Sequence, residues 1–124
     1  MANYESKVVE ASRELTAKER IRFKDLSDAV SIDSATADGA ITFAVKDYAI
    51  VKIHNENSED KDYTKYVVEA EDGTLYATGS ESFWKSFIDI YTEMQGEDEK
   101  WELKVSKKDS ANYKGKQFIT CSIV

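Results

Sequence analysis

The sequence of 124 residues holds no proline, one cysteine and one histidine. With Cys121 alone, no intrachain disulfide can form. There is no cysteine pair, no HExxH, no GxGxxG and no P-loop, so the common zinc, dinucleotide and nucleotide-hydrolysis motifs are missing. The acidic clusters Glu59-Asp60 and Glu97-Asp98-Glu99 lack the spaced ligands and fixed glycine of a calcium loop. His54 reads as a neutral histidine at a strand end rather than a catalytic group. These absences point away from an enzyme and from any cofactor. No apolar run is long enough to span a membrane as a helix. The opening residues, MANYESKVVEASRE, lack the apolar centre of a secretory signal. A cytoplasmic protein is the expectation. There is no internal repeat and no low-complexity linker.

What remains is the composition of one globular domain, 41% hydrophobic and 33% charged. The net charge of −7 excludes a generally basic nucleic-acid binder but leaves room for a local basic path. Cations are placed unevenly. Residues 12–24 carry five cations and two acids, and residues 104–116 carry five cations and one acid. Acids gather at 56–62 and 93–102.

The chain ends in the most informative stretch. Trp101, Leu103 and Val105 alternate with Glu102, Lys104 and Ser106, and Ile119, Cys121 and Ile123 alternate with Phe118, Thr120 and Ser122. Each pattern predicts a half-buried strand. Between them lies the loop KKDSANYKGK, with Lys107, Lys108, Lys114 and Lys116 around Tyr113. Lysines that track phosphates beside a ring on which a base can stack are what single-stranded nucleic-acid binding needs. An ordinary solvated hairpin loop would read the same way.

Upstream, Phe83, Trp84, Phe87, Ile88, Tyr91 and Met94 recur at spacings of three and four and predict a helix. Either Thr78 with Glu81 or Ser80 alone could cap it, and Gly96 would end it. Asp72-Gly73 predicts a tight hairpin between strands at 63–70 and 74–78. Ile41, Phe43, Val45, Ala49, Val51 and Ile53 share one parity along a first long strand. Asp47 interrupts that row and predicts a bulge near Lys46-Asp47. The first 38 residues are ambiguous. Thr16 and Glu19 fit a capping box, yet residues 20–24 alternate like a strand. Ala29–Ile32 could form a short strand, and residues 36–39 read as a turn.

From residue 39 the order is strand, strand, strand, helix, strand, strand. It suits an OB-like five-stranded barrel over 39–124, with 1–38 as an N-terminal extension that caps the barrel or mediates self-association. OB folds bind along the second and third strands between the first-second and fourth-fifth loops. Here those loops would be 55–61 and 107–116.

The runs DGTLYATGSESFWKSF at 72–87 and SANYKGKQFITCSIV at 110–124 resemble single-stranded-DNA-binding proteins of phages and prophages of Gram-positive bacteria. A weaker likeness, in FKDL at 23–26 and the DGTLY hairpin, is to the small single-strand binder of protein-primed Bacillus phages. The resemblance covers 40–124 well and the first third poorly. It implies sequence-tolerant DNA binding in phage replication or recombination on an OB-type fold, with phage or host replication or recombination proteins as further partners. It carries over Asn112, Tyr113, Lys114, Gly115, Lys116 and Phe118. The sequence ends in a strand pattern at Ser122-Ile123-Val124, so recruitment of partners through an acidic tail, as in many bacterial single-strand binders, is not expected.

The candidate DNA-binding set is therefore Asn112, Tyr113, Lys114, Lys116 and Phe118, with Lys107 and Lys108. Tyr63 and Lys65 join it as outward residues of the second strand, with Tyr66 and Val68 inward. Trp84, Phe87 and Trp101 read as core, and Arg20, Arg22 and Lys24 as a solvated face or a second phosphate path. The alternatives are an acidic protein-interaction module that binds no DNA and an oligosaccharide-binding OB domain.

Overall fold

The computed structural model describes residues 4–109 and 117–124. These residues are mostly β, with eight strands in two sheets and three helices. Strand β1 (Tyr4–Ala11) leads to helix α1 (Ala17–Lys24), the two-residue strand β2 (Val30–Ser31) and the short helix α2 (Ile32–Ala35). Strands β3 (Ile41–Phe43), β4 (Val45–Asn55), β5 (Asp62–Ala70) and β6 (Leu75–Thr78) follow. Helix α3 (Glu81–Met94) precedes β7 (Leu103–Asp109) and β8 (Gln117–Ile123).

Local chemistry explains the boundaries. At α1, the Thr16 side chain accepts from the Glu19 amide while Glu19 accepts from the Thr16 amide, so the capping box decides for helix over strand. Ser80 alone caps α3 by accepting from the Phe83 amide at 3.1 Å. The β5–β6 turn uses Gly73 at φ +90°, which an L side chain rarely adopts, and its amide closes onto the Ala70 carbonyl at 2.9 Å.

The larger sheet runs β1-β4-β5-β6-β2, and the smaller runs β3-β7-β8. The chain passes from the smaller to the larger at Ala44, between β3 and β4. Among the described residues the strands do not close into a barrel. The residue that complicates the pattern is the bulge, which falls between Val45 and Asp47 as the sequence predicts. One extra residue reverses the faces of everything after it. Ile41, Phe43 and Val45 therefore join one core cluster, whereas Ala49, Val51 and Ile53 join another on the opposite face. The single inward row expected from parity is two rows.

The larger sheet is thus buried on both sides. One face packs Tyr48, Val68 and Tyr76 against α3 and the smaller sheet. There Tyr48 meets Trp84, Phe87 and Tyr91 edge-on, with ring centroids 5.0–5.7 Å apart. The other face packs Ala49, Val51, Ile53 and Val67 under Leu15 and Phe23. Residues 4–38 are accordingly continuous with the rest. Leu15, Phe23 and Ile32 are buried in the two clusters, β1 extends one edge of the larger sheet, and β2 lies parallel to β6 at the other. The packing crosses the boundary expected at residue 38. No helix among the described residues is long and apolar enough to cross a membrane.

Candidate nucleic-acid interface

The β7–β8 hairpin places three of the sequence-derived site residues, Lys107, Lys108 and Phe118. Its ladder runs farther than the sequence suggests, through Lys107↔Ile119, Lys108↔Phe118 and Asp109↔Gln117. Lys107 and Lys108 are strand residues, not loop residues. Alternation sends them to opposite faces. Lys107 lies on the inner side with buried Ile119, and its Nζ donates to the Asp33 carbonyl of α2 at 2.9 Å. That ammonium is partly spent on holding α2. Lys108 is exposed on the outer side, directly opposite Phe118, which is 38% exposed. Lys104 is exposed on this same side, four cross-strand pairs back along the ladder. Asn112, Tyr113, Lys114 and Lys116 lie outside the described residues.

Helix α3 anchors strand β8. Ser82 of α3 donates to the Ile119 carbonyl at 3.0 Å, and Ser86 and Thr120 share a hydrogen bond of the same length. The Cys121 thiol faces the Phe83 carbonyl, and burial pushes its pKa up to about 12. It is a protonated packing group. Phe118 and Lys108 thus sit on a rigid support, and a ring flanked by an ammonium offers a stacking face and a phosphate contact.

Tyr63 and Lys65 are placed differently from the expectation. They share a face with Val67, but that face is not free surface. Tyr63 packs against the cluster that holds Leu15, Phe23 and Ile53. Tyr66, expected inward, stacks on Trp84 at 4.9 Å between centroids. Strand β5 is flanked by packing on both sides, so its Tyr and Val residues give no clean alternation. Trp101 packs against the α3-side cluster, as Trp84 and Phe87 do.

The other basic stretch is largely engaged. Arg22 pairs with Glu69 and donates to the Gly73 carbonyl at 2.7 Å. Arg20 donates to the Leu15 carbonyl at 2.6 Å, and Arg13 bridges Glu19 and Asp47. The Arg13 contact, with the Thr16 amide, holds the Glu19 carboxyl down at about 2. Lys24 takes part in no ion pair among the described residues.

The loop between β4 and β5 is acidic and organised by His54. Its Nδ1 lies 2.7 Å from Asp62 and its Nε2 2.6 Å from Glu56. These two carboxylates, Asp62 first, raise its pKa above that of a free imidazole.

Comparisons with family models, curated proteins and solved structures gave no match to this chain. The functional reading therefore rests on the residues themselves.

Proposed function

We propose that the chain binds single-stranded DNA with little sequence preference, through the outer side of the β7–β8 hairpin. The observation that carries this reading is the pairing of exposed Phe118 with exposed Lys108 at the base of a segment containing Tyr113, Lys114 and Lys116. A ring beside lysines satisfies the two requirements of sequence-tolerant binding, base stacking and phosphate neutralisation. The resemblance to phage single-strand binders supports the same role in replication or recombination. An OB-type reading of the fold draws on the strand path. The β3–β4 segment passes between the sheets, β3 pairs with β7, and α3 lies between the short strand β6 and the last two strands. In that reading β2 occupies the edge of β6 where a ring would close.

Titration with oligo-dT at several salt concentrations tests the proposal. Engagement of about three to five lysines gives a slope of log K against log salt of roughly −2 to −4. Absence of binding at low salt would refute it. A second reading, a protein-interaction module without DNA binding, draws on the covering of the β4–β5 face by Leu15 and Phe23. That covering removes part of the surface an OB fold offers to oligonucleotides.

A further inference from the structure

Helix α1 covers only part of the β4–β5 face. Beyond its last residue, Lys24, lies an open groove of about 750 Å³ over the end of the larger sheet. Its lining includes Tyr4, Ser6, Lys24, Ile53 and Tyr63. Three adjacent strands build its floor, with Ser6 opposite Ile53 and Ile53 opposite Tyr63. Ile53 is buried, Tyr63 half-buried, and Tyr4 48% exposed at the rim. The Tyr4 hydroxyl has its pKa raised by burial and by the neighbouring Tyr63.

Glu5, His54 and Asp62 also border the groove, as do Lys7, Lys52 and Thr64, but these are two cross-strand rows whose alternation directs their side chains to the opposite face. Asp62 is held there by His54. On the groove side the ionic lining group is Lys24, and Lys65 follows Tyr63 along the same face of β5. In a chain of net charge −7, the groove combines two phenol rings, an apolar floor and the Lys24 ammonium without an inward carboxylate.

We propose that this groove is a second subsite for single-stranded DNA, in which a base lies against Tyr4 and Tyr63 and a phosphate is held by Lys24. The inference rests on the single-strand reading above and adds to it a site that the N-terminal segment completes. The groove opens on the α1 face of the larger sheet, and the hairpin packs its inner side on the α3 face, so the two subsites lie on different layers linked through the end of the sheet. Gly79, which follows β6, lies against the Thr64 carbonyl and Lys65, and Lys107 of the hairpin reaches α2, which follows the parallel partner of β6. Residues 1–38 would then supply ligand contacts as well as core.

The test uses the full chain and oligo-dT at low salt, with Tyr4→Ala, Lys24→Glu and Phe118→Ala variants, and melting curves to confirm folding. Tyr4 and Lys24 are at the rim, so both variants should stay folded. Loss of a stacked base should weaken binding about fivefold to a hundredfold in Tyr4→Ala. Lys24→Glu should weaken it and flatten the salt slope by about one unit. Photocrosslinking of iodouracil-substituted oligonucleotide should label Tyr4 or Tyr63. If the parent and Phe118→Ala differ while Tyr4→Ala and Lys24→Glu bind like the parent, the groove inference fails and the hairpin reading stands. If the parent binds no oligo-dT, both fail. Competition by neutral oligosaccharide alone would reassign the groove and overturn the proposal.

Discussion

Arg22 of α1 pairs with Glu69 of β5, whose side chain is only 5% exposed. The pair joins the N-terminal segment to the central hairpin, because the same guanidinium also holds the Gly73 carbonyl at the β5–β6 turn. Removing the cation leaves a carboxylate buried without its partner. Arg22→Ala should therefore cost about 1–3 kcal/mol, the cost of stranding a buried acceptor. Arg22→Ala combined with Glu69→Gln should recover part of that loss. Denaturant melts of the single and double variants measure both. Equal stability in Arg22→Ala and the parent would show that the pair carries no weight.

Phe23 stands one residue further along α1 and is 2% exposed. Truncating a buried Phe to Ala typically costs about 3–5 kcal/mol. Removal of residues 1–38 takes away Leu15 and Ile32 as well, and uncovers Ala49, Val51 and Val67. A chain beginning near Gly39 is expected to lack a cooperative thermal transition by circular dichroism. A sharp transition near that of the full chain would instead make the extension dispensable.

His54 is the only histidine, so its titration can be followed without assignment. Asp62 and Glu56 raise its pKa above the usual value of about 6.5. The sign follows from linkage. The folded state holds the proton more tightly than the unfolded one, so the contribution is fully present below the unfolded pKa and is lost as pH rises through the folded value. The β4–β5 loop should loosen as pH rises above about 6.5. NMR of the imidazole ring should give a raised pKa, and Asp62→Asn should lower it. An unshifted titration would remove the pairing from solution.

Two elements were legible because one local signal decided each: the three-and-four spacing from Phe83 to Met94 marked α3, and Asp72-Gly73 marked the hairpin. At α1 two local signals competed, the Thr16–Glu19 capping box against the alternation of residues 20–24, and only the folded structure shows that the box prevails. The bulge at Lys46 was legible too, but its consequence was not. Parity counted across it merged Phe43 with Val51, which lie in opposite clusters. β1 escaped notice because its own irregularity between Val8 and Glu10 breaks the alternation. Of the site, the outward direction of Phe118 followed from parity with Ile119. Tyr63 did not follow, since packing on both faces of β5 erases the period of two. The Lys107 contact to Asp33 joins residues 74 apart, a separation no local pattern encodes.

Cys121 offers a check on the packing behind the interface. Its thiol pKa, pushed up to about 12 by burial, leaves almost no thiolate near pH 8. The nucleophile in disulfide exchange is the thiolate. Folded protein should therefore react with Ellman's reagent far more slowly than denatured protein. Bound oligo-dT should not accelerate the reaction, because the thiol lies on the α3 side. Rapid labelling of folded protein would show that the contact with Phe83 opens.

Phe118 and Lys108 separate stacking from charge at one cross-strand pair. Phe118→Ala should weaken oligo-dT binding by about 1–3 kcal/mol if a base stacks there, and Phe118→Tyr should retain most of the affinity. Lys108→Ala should lower affinity equally for different base compositions and reduce the salt slope by about 0.7, the share of one phosphate on a single strand. Tyr113→Ala should behave like Phe118→Ala if its ring serves as a second platform. The exposed position of Phe118 and Lys108 predicts changes in melting stability within about 0.5 kcal/mol, so a binding loss can be assigned to contact rather than to unfolding. Should Phe118→Ala bind like the parent at every salt concentration, the outer side of the hairpin would not be the stacking surface, and recognition would fall to the groove between Tyr4 and Tyr63.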